Sequence, residues 1–132
     1  MFASLHAKHF SRFGAAQRRL YNSPFPGNYL ITVQVFRGIP ARATHSTVLT
    51  IGNFDGVHRG HRALLAKLTG LAKQAGLPSA VMTFEPNPRE FFAPQSAPAR
   101  LASLREKLQL LAECGVGQAY VCAFNARFAA LT

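Results

Sequence analysis

From Thr47 the residues VLTI, ending at Ile51, form a short run rich in β-branched side chains, and Gly52-Asn53 and Asp55-Gly56 follow it directly. That order predicts a strand and then a turn. Between His61 and Gly76, Leu64, Leu65, Leu68, Leu71 and Ala72 recur at the spacing of one helix face, with Gly76 and Pro78 as the stop. One amphipathic helix is expected there. Ala80 to Phe84 (AVMTF) reads as a second strand, and Glu85 to Pro98, punctuated by four prolines, as a loop. Ser103 with Glu106 three residues later makes a capping box for a helix ending near Gly115, and Ala119 to Phe124 reads as a third strand. The resulting βαβαβ order predicts an α/β fold with a parallel sheet and right-handed crossovers. There is no internal repeat and no low-complexity tract.

The pattern changes at Val33. Residues 1–32 hold Lys8, Arg12, Arg18 and Arg19 without one acid, and Pro24 to Gly27 reads as a linker, so two regions are expected: an unstructured leader over 1–32 and one domain over 33–132. A valine codon can serve as a bacterial start, and upstream sequence translated from a misplaced start is the preferred reading of the leader. A disordered extension and an organellar targeting segment are the alternatives, whereas a secretory signal lacks its apolar core.

Charge narrows the partners. Fifteen Lys and Arg stand against five Asp and Glu, for a net charge of +10, of which +4 lies in the leader. The remainder suits polyanionic small molecules. The basic residues are scattered and no nucleic-acid motif accompanies them, so nucleic acid is not an expected partner. No apolar run approaches the ~20 residues needed to cross a bilayer, so no membrane partner is expected and the domain reads as soluble. Cys114 and Cys122 fit neither a zinc site nor a disulfide framework, and buried free thiols suit a cytoplasmic protein.

The chemistry is expected outside the carboxyl end of the first strand, at GNFDGVHRGH, residues 52–61. Gly52, Gly56 and Gly60 permit tight turns and close approach to a ligand, and the helix start offers free N–H groups to a phosphate chain. His58 and His61, three apart, can share one side of the helix entrance and stabilise developing charge on a triphosphate. The string is neither a Walker loop nor a dinucleotide fingerprint.

GxFDGxHxGH resembles the His-x-Gly-His signature of the nucleotidyltransferase superfamily. TFEPNPREFF at 83–92, PARLASLREKLQLLAECGV at 98–116 and FNARFAAL at 124–131 further resemble bacterial FAD synthetases, over about Gln34 to the end. The resemblance implies a Rossmann-like nucleotidyltransferase fold, transfer of AMP from ATP to FMN giving FAD and pyrophosphate, and Mg²⁺ as cofactor. It implies His58 and His61 as catalytic residues, Gly52, Asn53, Phe54, Asp55, Gly56 and Gly60 as the ATP site, and Thr83, Phe84, Pro86, Asn87, Pro88 and Arg89 as the FMN region. Competing readings make Phe84 a core residue, the prolines loop stiffeners and Arg89 a solvated surface charge; Asn125 and Arg127 read equally as ligand contacts or a helix cap.

Asn87 stands where the family usually has His and cannot carry a proton's charge. Asp55 precedes Gly as turn formers do, so no residue is assigned as a metal ligand. The family continues with further strands, a Ser/Thr-rich motif ending in Arg and a riboflavin kinase module, none of which occurs in these residues. A truncated domain is therefore expected, with a three-strand half sheet, poor solubility and little activity on its own. The alternatives are adenylyl or cytidylyl transfer to another phosphate-bearing small molecule, and a noncatalytic basic nucleotide-binding module.

Overall fold

The computed structural model describes residues 32–131 and, within the first 31, the backbone of two stretches of strand. In chain order the strands are β1 (Ala3–Ser4), β2 (Gln17–Asn22), β3 (Thr32–Arg37), β4 (Val48–Ile51), β5 (Ser79–Glu85) and β6 (Gln118–Ala123). The helices are α1 (Arg59–Ala75), α2 (Pro88–Phe92), α3 (Leu104–Glu113) and α4 (Ala126–Ala129). They build one sheet in the order β1-β4-β5-β6-β3-β2. Its four central strands are parallel, and β1 and β2 add to the edges antiparallel. The α/β class and the parallel sheet expected from the sequence are present.

Three expectations need correction. The parallel sheet has four strands rather than three, because TVQVFR forms β3 beside β6, with Gln34 opposite Gln118 and Val35 opposite Ala119. Val33 and Val35 are buried and their neighbours are not, which is the period-2 signature of a half-buried strand. The stretch Glu85 to Pro98 is not all loop. Asn87 caps α2, Pro88 occupies a first-turn position where its missing N–H costs nothing, and Glu90 completes a capping box. Finally, Gln17–Asn22 pairs with Thr32–Arg37 inside the region expected as an unstructured leader; the linker expected at Pro24–Gly27 lies outside the described residues.

Alternate residues of the strands face two apolar layers. One joins Val33, Val35, Val81, Ala119 and Val121 of the sheet to Leu65 and Leu68 of α1 and Leu108, Leu111 and Ala112 of α3. Each fully buried Leu or Val there contributes about 1.5–3 kcal/mol. The other holds Ile39, Leu49, Ala80, Met82 and Cys122, with Phe84, Tyr120 and Phe128 packed against them. α1 ends where expected: Gly76, at φ 64°, donates its N–H to the Ala72 and Lys73 carbonyls. α3 begins as expected too, with the Ser103 N–H donating to Glu106 Oε2 at 2.7 Å and the Glu106 N–H to Ser103 Oγ at 3.2 Å.

Candidate functional site

β4 ends at Ile51, and the Gly52 N–H donates to the Met82 carbonyl at 3.0 Å, which ties the start of the turn to the neighbouring strand. A Cβ on Gly52 would lie 3.0 Å from the Phe54 ring, so only glycine lets that ring fold back into the core. The chain then turns sharply. Phe54 and Val57 both adopt left-handed φ, 51° and 42°, and both are buried, at 1% exposure each. For a β-branched residue this conformation is an outlier that costs on the order of 1–3 kcal/mol and persists only where packing over-determines it. Gly56, at φ 69°, completes the turn.

The turn is braced from α3. Both carboxylate oxygens of Asp55 accept from the Leu101 N–H at 3.0 Å, and Oδ1 also accepts from the Ala102 N–H at 3.0 Å. Asp55 is thus engaged as a bracket between the turn and the approach to α3. From β5, the fully buried Thr83 hydroxyl donates to the Asn53 carbonyl at 3.0 Å.

His58 is the N-cap of α1, and its Nδ1 accepts from the His61 N–H at 3.4 Å. The acceptor role assigns the neutral ring's hydrogen to Nε2. The two imidazoles stack with centroids 3.6 Å apart and planes 20° from parallel, and the Phe54 ring backs His61 at 5.0 Å. Among the described residues, His61 Nδ1 is buried without a hydrogen-bond partner. Burial pushes the His61 pKa below its usual value, nearby His58 pushes it the same way, Asp55 opposes and Lys107 adds a further lowering. His61 is therefore neutral at pH 7, and an arriving polyanion would favour its protonation. Gly60 lies in the first turn of α1 with its missing Cβ only 3.2 Å from His58 Cε1, so the ring occupies the space a larger residue would take.

At the carboxyl end of β5 the structure gathers the second group of residues. The Glu85-Pro86 peptide is cis. Asn87 Oδ1 accepts from the Arg89 N–H at 3.0 Å and from Asn53 Nδ2 at 3.4 Å, linking the two predicted groups. The side chain where the family usually has His is thus occupied as a helix cap. Pro88 opens α2, and Arg89 is exposed on it. Arg100 bridges Glu90, through Nε and one terminal nitrogen at 2.6 Å each, and Glu85 at 2.5 Å, which clasps α2 to the end of β5.

Beside this lies a feature that sequence reading did not assemble. Phe84, Phe91, Phe92, Phe124 and Phe128 contact one another at ring-centroid distances of 5.3–5.7 Å, and Phe92 is 67% exposed. Phe124 and Phe128 come from the end of β6 and from α4, whose N-cap Asn125 accepts from the Phe128 N–H at 2.9 Å. The signal was the repeat of Phe at the ends of two adjacent strands. Asn125 is a cap, one of the two roles open to it. Phe54 is a core residue whose ring supports His61 from behind, and Phe84 packs in the aromatic group. Among the described residues no three His, Cys, Asp or Glu side chains cluster as a metal site.

A parallel α/β sheet with a glycine-rich, histidine-bearing turn at the carboxyl end of one strand defines a nucleotidyltransferase-like domain. The chain belongs to the FAD synthetase family, whose model matches residues 41–132. It is 62% identical over 85 residues to the bifunctional riboflavin kinase/FMN adenylyltransferase of Escherichia coli (strain K12), covering 64% of this chain and 27% of that protein. The protein of the same name from Pseudomonas fluorescens is 50% identical over 102 residues, covering 76% and 32%. The chain thus spans about a third or less of the length of these relatives. Among solved structures, one titled as a macrolide-efflux protein from Streptococcus pneumoniae superposes with a TM-score of 0.56 at 30% identity, over 65% of this chain and 30% of that one. Among the described residues no helix is long and apolar enough to cross a membrane.

Proposed function

We propose that this chain carries the ATP-binding turn and part of the acceptor region of an enzyme that transfers AMP from ATP to FMN, giving FAD and pyrophosphate. The observation that carries the reading is the stacked His58–His61 pair at the entrance of α1, held by a strained turn that three neighbouring segments brace. An oxygen of the FMN phosphate attacks the α-phosphorus of ATP as the bond to pyrophosphate breaks, with no covalent enzyme intermediate. Catalysis then depends on alignment and on charge stabilisation. His58, with its hydrogen on Nε2, donates to a phosphate oxygen. His61, neutral when free, takes up a proton as the triphosphate approaches. Arg89, exposed on α2, supplies fixed positive charge to the acceptor phosphate.

The choice of a flavin acceptor is supported by Phe91 and Phe92, the exposed members of the phenylalanine group next to Thr83 to Arg89, since a flat heteroaromatic ring stacks on such a surface. Mg²⁺ would offset phosphate charge when bound. Asp55, the carboxylate nearest the turn, is committed to two backbone N–H groups, so the metal would be held by the triphosphate itself rather than by a carboxylate cage.

The test is equilibrium binding of ATP to the chain, followed by binding and adenylyl transfer with FMN, pantetheine phosphate and nicotinamide mononucleotide as competing acceptors. ATP binding with preference for FMN supports the reading. Preference for another acceptor leaves adenylyl transfer but overturns FMN, and salt-dependent nucleic-acid binding without ATP binding overturns both.

A further inference from the structure

The buried face of α3 is formed by Leu104, Lys107, Leu108 and Leu111, so a lysine occupies a position in an otherwise apolar stripe. Lys107 is 5% exposed. Its Nζ donates to Thr83 Oγ1 at 3.3 Å, and among the described residues it makes no ion pair. Asp55, Glu85 and Glu90 are near enough to favour its charge and Arg100 to oppose it, while burial is the largest influence and drives its pKa down. A buried ammonium has three N–H groups to satisfy, and holding it with one neutral hydrogen bond costs stability that an apolar residue of similar length would not. Residues that break a local rule in this way are expected where function requires them.

The partner of Lys107 shows what the lysine can do. Thr83 Oγ1 accepts from Lys107 Nζ and donates its own hydrogen to the Asn53 carbonyl at 3.0 Å. With its lone pair engaged by a cation, the hydroxyl is fixed as a donor toward Asn53, and a polarised hydroxyl donates more strongly. Asn53 begins the strained turn and reaches Asn87 through its side chain. Lys107 therefore stands at the root of a relay that touches both the turn and the cap of α2. We propose that Lys107 is a positioning residue of the nucleotide site, holding Thr83 and through it the Asn53 carbonyl so that the turn from Gly52 to His61 keeps the shape that receives a polyphosphate. The inference rests on the nucleotide-binding reading given above.

The test compares the wild-type chain with Lys107→Met, Lys107→Arg, Thr83→Val and the Met/Val double variant. Urea unfolding, ATP titration calorimetry and amide exchange of residues 53–57 are read on each. Lys107→Met should unfold at an equal or higher urea midpoint yet bind ATP about tenfold more weakly, as for loss of one charge-assisted hydrogen bond. Lys107→Arg should recover part of that affinity. The double variant should bind no more weakly than Thr83→Val alone, because Lys107 acts only through the Thr83 hydroxyl. Unchanged ATP affinity in Lys107→Met overturns the proposal, as does a parallel loss of stability and affinity that Arg does not rescue. If the wild-type chain binds no ATP, the functional reading fails, and amide exchange still decides Lys107: faster exchange at 53–57 in Lys107→Met sustains its hold on the turn, and unchanged exchange overturns it.

Discussion

Gly60→Ala separates the site from the fold. Gly60 has ordinary helical geometry, and a Cβ there meets no backbone, only the His58 ring at 3.2 Å from Cε1 and 3.3 Å from Nδ1. Replacing Gly by Ala in a helix stabilises by roughly 0.5–1 kcal/mol. Against this, moving the His58 ring by a few tenths of an ångström lengthens an N-cap hydrogen bond that already stands at 3.4 Å. Complete loss of an N-cap contact costs about 0.5–2 kcal/mol, and a bond this long lies at the low end. The two effects offset, so the urea midpoint should shift by no more than corresponds to about 0.5 kcal/mol. ATP affinity should nevertheless fall about tenfold, because His58 leaves its stack on His61 and no longer presents Nε2 in the same place. Paired denaturation and calorimetry read both quantities. Wild-type ATP affinity in Gly60→Ala would show that the position of the His58 ring does not govern binding.

Gly56 and Gly76 share a left-handed φ, 69° and 64°, but a Cβ on Gly56 would lie 3.0 Å from Leu101 Cβ whereas Gly76 has nothing within 4 Å. Gly76→Ala should cost only the conformational term of about 1 kcal/mol, and Gly56→Ala a further 1–3 kcal/mol of overpacking, measured by denaturation. Thr83→Val strands the Asn53 carbonyl and Lys107 Nζ and should destabilise by about 1–3 kcal/mol, a cost that removing Lys107 as well reduces but does not abolish, because the carbonyl still lacks its donor. His61, with its folded pKa below the usual 6.5, leaves the unfolded chain binding the proton first, so stability falls as pH drops from about 6.5 toward the folded value. His61→Asn should remove that slope in a pH series of unfolding curves. Glu90 is held low chiefly by its Arg100 hydrogen bonds, so its contribution is present above the ordinary carboxylate range and is lost as pH falls through the folded pKa; Arg100→Met should raise the NMR titration midpoint of Glu90.

Periodicity and punctuation made much of this legible. The leucine spacing and Gly76 marked α1, and Ser103 with Glu106 marked the start of α3, because these signals are local. The misses have particular causes. Pro86, Pro88, Pro94 and Pro98 read as loop, although Asn87-Pro88-Arg89-Glu90 is an N-cap, a first-turn proline and a capping box. β3 was hidden by the change of composition at Val33, which drew attention to a boundary and away from the alternation of Val33 and Val35. The position of the turn from Gly52 to His61, between the end of β4 and the start of α1, was legible from its glycines. That Asp55 is engaged by Leu101 and Ala102 and that Lys107 lies beneath Thr83 depend on contacts across 24 to 47 residues of sequence, and that the buried Phe54 ring supports His61 depends on the left-handed turn between them. No local pattern encodes them.

The reading proposed for the turn bearing His58 and His61 is that it binds ATP. Its most direct test is titration of ATP into the wild-type chain and into His58→Ala and His61→Ala, each first shown to be folded by circular dichroism. Saturable binding by the wild type, weakened about tenfold or more by either substitution, is expected. Equal affinity in all three chains would contradict it.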